Sequence, residues 1–104
     1  MPEVRAYSDH RGRRPFYLWL EELSLSTQRR ILRIVARMEE GNLGDVRGVG
    51  EGVMERRVDF GPGYRVYFGW DGPRLIILLG GGDKSTQRND IDRARERWHE
   101  YRSR

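Results

Sequence analysis

The sequence predicts a single α+β domain over residues 1–104: an N-terminal strand and an αα-hairpin packed on a small, mostly antiparallel twisted sheet, with a C-terminal helix. Three observations carry this. Apolar residues recur at helical spacing in two stretches before Gly41. Three β-type runs follow between Val53 and Leu79, separated by Gly/Pro turns. A last helical stripe begins after Gly80-Gly81-Gly82.

The elements follow in order. Val4 to Tyr7 reads as a first strand, and polar Ser8 to Arg14 as a loop. Pro15 suits a first helical turn, because its missing N–H would be unpaired there anyway. Phe16, Trp19, Leu20 and Leu23 then fall on one helical face. Ser24 and Ser26 interrupt this helix and offer caps for the next. That helix runs from about Thr27 to Glu40, buries Ile31, Ile34, Val35 and Met38, and stops at Gly41-Asn42. Asn42 to Gly52 reads as a glycine-rich loop. Its Gly48-Val49-Gly50-Glu51-Gly52 follows no predicted strand and opens no helix, which excludes a dinucleotide site. The strands are Val53–Phe60, Tyr64–Trp70 and Arg74–Leu79. The third is apolar on both faces, so it is expected to be central or covered twice. The triple glycine should end it. The last helix starts near Ser85 or Thr86 with a stripe of Ile91, Ala94, Trp98 and Tyr101.

Composition narrows the function. The net charge is +4, with 20 basic residues, of which Lys84 is the one lysine. Such a balance favours anionic partners. The arginine excess fits a GC-rich codon bias and fits phosphate recognition by forked guanidiniums equally well. Cysteine is absent, so disulfides, thiolate metal sites and thiol nucleophiles are excluded. His10 and His99 lack ligand partners at metal-binding spacing, and neither a metal nor a cofactor is expected. The longest apolar run, Leu75 to Leu79, is far short of the roughly 20 residues of a membrane helix, so a cytoplasmic location is expected.

Strand alternation sorts the candidate site residues. Met54, Val58 and Phe60 share a face with Arg56, whereas Glu55, Arg57 and Asp59 share the other. Tyr64, Val66 and Phe68 face one way, Arg65 and Tyr67 the other. With the apolar sets turned to the core, Arg57, Arg65 and Tyr67 project together on an opposite, open face. Two guanidiniums and a phenol there would hold a phosphate and stack a base. The same charges also serve simply to keep a sheet face wet. Lys84 sits at a helix start, where backbone N–H groups favour anions. Asp83 stands where a P-loop needs glycine, which argues against a nucleotide-triphosphate site. A capping turn with a solvated Lys84 explains these residues as well.

Gly61-Pro62-Gly63-Tyr64-Arg65-Val66-Tyr67-Phe68 and Gly80-Gly81-Gly82-Asp83-Lys84-Ser85-Thr86-Gln87 resemble the addiction-module killer proteins, the phage Gp49-like, HigB-type branch of the RelE/ParE toxin superfamily. Trp19-Leu20, Gly41-Asn42-Leu43-Gly44-Asp45 and Val49-Gly50-Glu51-Gly52-Val53 are similar to that branch too, in the same order along almost the whole chain. The resemblance implies a RelE-like fold and a toxin paired with a helix-turn-helix antitoxin, which would set the oligomeric state. It implies metal-independent cleavage of mRNA on the ribosome, through attack of the 2′-OH on the adjacent phosphate. By position, Arg65, Lys84 and Arg57 match the family's basic residues, while Tyr67 is added from strand geometry alone. Arg56, Tyr64, Gln87 and Arg88 are expected to bind the RNA around them. Guanidinium is a poor general base, and no histidine falls on the sheet to serve instead. Two other classes stay open: a non-enzymatic, ParE-like poison of DNA gyrase, and a basic nucleic-acid-binding module without catalysis. An acidic or amphipathic antitoxin segment is expected near the sheet and last helix.

Overall fold

A computed structural model describes all residues, 1–104. Five strands form one sheet in the order β1-β5-β4-β3-β2. They are β1 Glu3–Ala6, β2 Val46–Gly48, β3 Val53–Arg57, β4 Arg65–Trp70 and β5 Leu75–Gly82. β1 lies parallel to β5, and the other three pairings are antiparallel. The helices are α1 Pro15–Glu21, α2 Leu25–Glu39 and α3 Gln87–Arg102, the last preceded by a 3₁₀ turn at Lys84–Thr86. No helix is long and apolar enough to cross a membrane.

Local chemistry explains the helix boundaries. Pro15 occupies the first turn of α1. Ser24 caps α2, its Oγ accepting the Thr27 N–H at 3.2 Å. That cap starts α2 at Leu25, two residues before the expected Thr27.

The helices cover both sheet faces. On one side Phe16 and Leu20 of α1, with Ile31, Ile34, Val35 and Met38 of α2, pack on Val66, Phe68, Ile76 and Leu78. On the other, Ala94 and Trp98 of α3 pack on Val53, Tyr67, Ile77 and Leu79. β5 thus buries both faces, as its apolar run predicts. The second sheet face, expected to be open, is instead closed by α3. Trp98 reaches it because Gly69 has no side chain: a Cβ there would come within 2.7–2.8 Å of the indole.

Two further expectations change. The loop before Val53 contains β2, whose three residues are too few for alternation to reveal. The triple glycine does not end β5 but extends it. A bulge at Leu79 shifts the register, so that Tyr67 pairs with Gly80 while Phe68 pairs with Leu78. Past it the bare backbone lets neighbours close in, with Trp19 lying against Gly81 and Asp90 against Gly82. Gly81→Ala should therefore force Trp19 aside and cost about 1–3 kcal/mol. Chemical denaturation should show this loss, reduced when Trp19 is also shortened to Leu.

Candidate functional site

Gly61-Pro62-Gly63 turns the chain from β3 into β4 and brings the two motifs together. The Lys84 N–H donates to the Pro62 carbonyl at 3.4 Å. Gly63, at φ +79°, fits beneath both basic side chains: a Cβ there would stand 2.8 Å from Arg65 Nη1 and 3.4 Å from Lys84 Cβ. The Arg65 guanidinium also donates to the Gly63 carbonyl. Arg65 and Lys84 thus flank one turn, and Arg57 is the cross-strand neighbour of Arg65.

Their surroundings differ. Lys84 is exposed. Asp83 caps the turn beneath it, its Oδ1 accepting the Ser85 N–H at 2.8 Å and the Ser85 hydroxyl at 2.5 Å. Those bonds from Ser85, with the charge of Arg65, hold the Asp83 carboxyl below the usual range. The capping turn and the solvated lysine therefore occur together. Arg57 is exposed and pairs with Asp45 at 3.1 Å, rather than with Glu55 or Asp59.

Arg65 is only 8% exposed, and its charge faces Glu55 at 3.8 Å. Glu55 is wholly buried. Its carboxylate accepts from Arg47 Nε at 2.9 Å and from Gln87 Nε2 at 3.0 Å. Burial alone would raise the Glu55 carboxyl, but the donors Gln87 and Arg47 outweigh it and hold the group below the ordinary range. Arg65 thus has a charge partner behind it that is itself fixed from two sides, although at 3.8 Å the contact is an ion pair without a hydrogen bond and the Arg65 Nε has no hydrogen-bond partner.

The other candidate residues divide by location. Tyr67 shares its sheet face with Arg57 and Arg65, but it is fully buried under α3 beside Glu55. Burial and the Glu55 charge push its hydroxyl well above the ordinary phenol value. It does not project as a stacking platform, because the face it lies on is not open. Arg56 lies on the opposite, α2-facing side, where its guanidinium donates to the Arg57 carbonyl beneath Gly44. Tyr64 is half-buried, edge-on to Phe60 and Trp19 at ring separations of 5.4 and 6.2 Å. Gln87 spends its amide on Glu55, whereas Arg88 is exposed on the first turn of α3.

Sequence reasoning missed Glu55, Arg47 and Arg95. Arg47, Arg88 and Arg95 rim a shallow depression of about 320 Å³ beside Gln87. Arg47 was hidden because it stands on the unpredicted β2, directly across from Glu55. The sequence carried no clear signal for Glu55, which stands among the charges Arg56 and Arg57 in the same strand. No three His, Asp or Glu side chains gather as ligands for a metal ion.

The model of the phage-derived, Gp49-like protein family matches residues 18–99. An uncharacterized protein of Haemophilus influenzae is 44% identical over 81 residues, which covers 77% of this chain and 82% of that protein. No solved structure matches.

The Glu55 cluster has a testable energetic signature. Glu55→Ala leaves Arg65 facing a buried gap and should cost on the order of 3 kcal/mol. Arg47→Ala takes a donor from the buried carboxylate but opens its own half-exposed place to water, and should cost less, about 1–3 kcal/mol. Because the folded-state carboxyl is depressed, its contribution is present above the unfolded-state value and is lost as pH falls through the folded one. Denaturation at a series of pH values should show Glu55→Gln flattening that acid limb.

Proposed function

Because the chain belongs to the phage-derived, Gp49-like family of addiction-module killer proteins, we propose that it is the toxin of a toxin–antitoxin pair and acts by cleaving mRNA on the ribosome. The observation that supports this most is the convergence of Arg65 and Lys84 on the Gly63 turn, with Arg57 beside them across the strand pair.

In this reading the 2′-oxygen of one nucleotide attacks the adjacent phosphorus. The 2′-O–P bond forms, the bond to the 5′-oxygen of the next nucleotide breaks, and the proton leaving the 2′-hydroxyl is balanced by one gained at that 5′-oxygen. Negative charge grows on the phosphoryl oxygens at the transition state. Arg65 suits its stabilisation because Glu55 and the Gly63 carbonyl already hold the guanidinium in place, so little reorganisation is needed as charge develops. Lys84, exposed at the turn, supplies a second cation. Arg57 adds charge at the rim, shared with Asp45. Tyr67 supports the sheet rather than moving a proton, since its hydroxyl is buried. Arg47, Arg88 and Arg95, around the depression beside Gln87, offer further cations to the RNA strand.

Loss of either central cation should lower cleavage about 10²- to 10³-fold, the scale of one preorganised charge-stabilising donor. Lys84→Ala should fold as the wild type does and lose toxicity; Arg65→Ala should lose toxicity too, at a stability cost from the charge partner removed from Glu55 that denaturation reads separately. Primer extension on a reporter mRNA in a translation extract should show cuts for the wild-type protein and almost none for the variants. Intact mRNA with blocked growth would refute the cleavage reading, and toxin-dependent DNA breaks in its place would point to gyrase.

A further inference from the structure

Behind the two cations at the Gly63 turn the structure holds a second pair. Each oxygen of Glu55 faces a different guanidinium: Arg47 Nε lies 2.9 Å from Oε1, and Arg65 Nε lies 3.8 Å from Oε2. One buried carboxylate on β3 thus brings together arginines from β2 and β4. Arg47 is bound through Nε, and its side chain is half-exposed. Its other guanidinium N–H groups are therefore open to a ligand.

A matching relation holds at the start of α3. Arg88 follows Lys84 by four residues, about one turn along the same face. Both side chains are exposed and neither makes an ion pair. Gln87, between them in the chain, gives its amide to Glu55 and ties this end of α3 to the two arginines. Arg47 and Arg88 rim one depression of about 320 Å³, with half-buried Ile91 at its side. The cations fall into two sets, each with one member from the sheet and one from the start of α3. Arg65 goes with Lys84 at the turn, and Arg47 with Arg88 beyond it.

The carboxylates nearby are already answered. Glu55 is held by Arg47 and Gln87, and Asp83 by Ser85. Asp92 faces Arg95 at 4.0 Å. Arg95 is itself engaged, with its Nε on the Val49 carbonyl and Glu51 at 3.7 Å. Arg47 and Arg88 are left as the open cations of the depression. One helical turn rises about 5.4 Å, close to the step between consecutive phosphates of an extended nucleic-acid strand. Two sets of cations at that step suit a polymer with a charge on every unit.

We propose that Arg47 and Arg88 form a second phosphate site, which takes the phosphate next to the one held by Arg65 and Lys84, so that the protein grips two consecutive linkages of one RNA strand. The inference rests on the RNA reading above and gives the register of the strand at that site. Glu55, by facing Arg47 and Arg65 together, sets the spacing of the two phosphates.

The test uses the full chain and three uridine trinucleotides, 2′-O-methylated so that no 2′-hydroxyl can attack. One has both linkages charged; in each of the others one linkage is a neutral methylphosphonate. The charged trinucleotide should bind about ten-fold more tightly than either neutralised one, the scale of one partly desolvated charge pair. It should shift the backbone amides of both Gly63 and Arg47. Arg88→Ala should reduce its affinity to that of a neutralised trinucleotide. Arg29→Ala, on the exposed side of α2, removes the same charge and should keep the ten-fold ratio. Equal affinities for the three trinucleotides, equal damage from the two substitutions, or shifts at Gly63 without Arg47 would overturn the proposal. So would a triglutamate peptide that binds as tightly and depends on Arg88 in the same way. Binding here needs no cleavage. A lost ratio with mRNA still cut overturns the second site alone, and intact mRNA with the ratio kept overturns the cleavage reading alone.

Discussion

A carboxylate shut away from water has to be answered by donors on every open side, and Glu55 organises much of this molecule for that reason. Arg47 comes to it from β2, Arg65 from β4 and Gln87 from the start of α3. Four elements are therefore tied to one point at one end of the sheet. The cluster also explains why Arg65 can be almost buried and still charged. A lone guanidinium there would be costly. Facing Glu55, it stays in place with part of its fork turned to the Gly63 turn.

The three glycines do the complementary task, removing side chains where others must approach. Trp19 closes on Gly81 from the hairpin side, and Asp90 and Thr86 close on Gly82 from the α3 side. The strand becomes thin enough for the first turn of α3 to sit near the β3–β4 turn. This nearness puts Lys84, a helix-start residue, beside Arg65, a strand residue. Two cations from separate elements share a turn because Gly82, the strand partner of Arg65, carries no side chain.

Much of this was legible in the sequence. Periodicity located both helices of the hairpin, the doubly buried β5 and the stripe of α3, because each is long enough to repeat its pattern. Alternation correctly set Arg57, Arg65 and Tyr67 on one face. It did not reveal that α3 covers that face, since the stripe of Ala94 and Trp98 shows that the helix buries something without saying what. Glu55 and Tyr67 thus went from wet surface to buried core. Arg56 joined the opposite side, as alternation required, and so lies apart from Arg65. β2 escaped notice because three residues carry no period. The glycine run looked like a strand end because glycine usually weakens strands; here close packing from both sides compensates.

The parallel seam between β1 and β5 sets an order in time. Glu3 finds its partner only at Leu75, and Ala6 only at Leu78. On a ribosome the first strand therefore emerges long before the strand it must join. The helical hairpin follows with its stripe still uncovered, because its core partners Val66, Phe68, Ile76 and Leu78 come later. Contacts so distant along the chain close late and slowly. Gln87, which completes the hold on Glu55, comes later still, and α3 follows it. A chain interrupted during synthesis lacks Lys84 and the Gln87 amide that helps to hold Glu55, so the basic cluster takes shape only when most of the chain has been made.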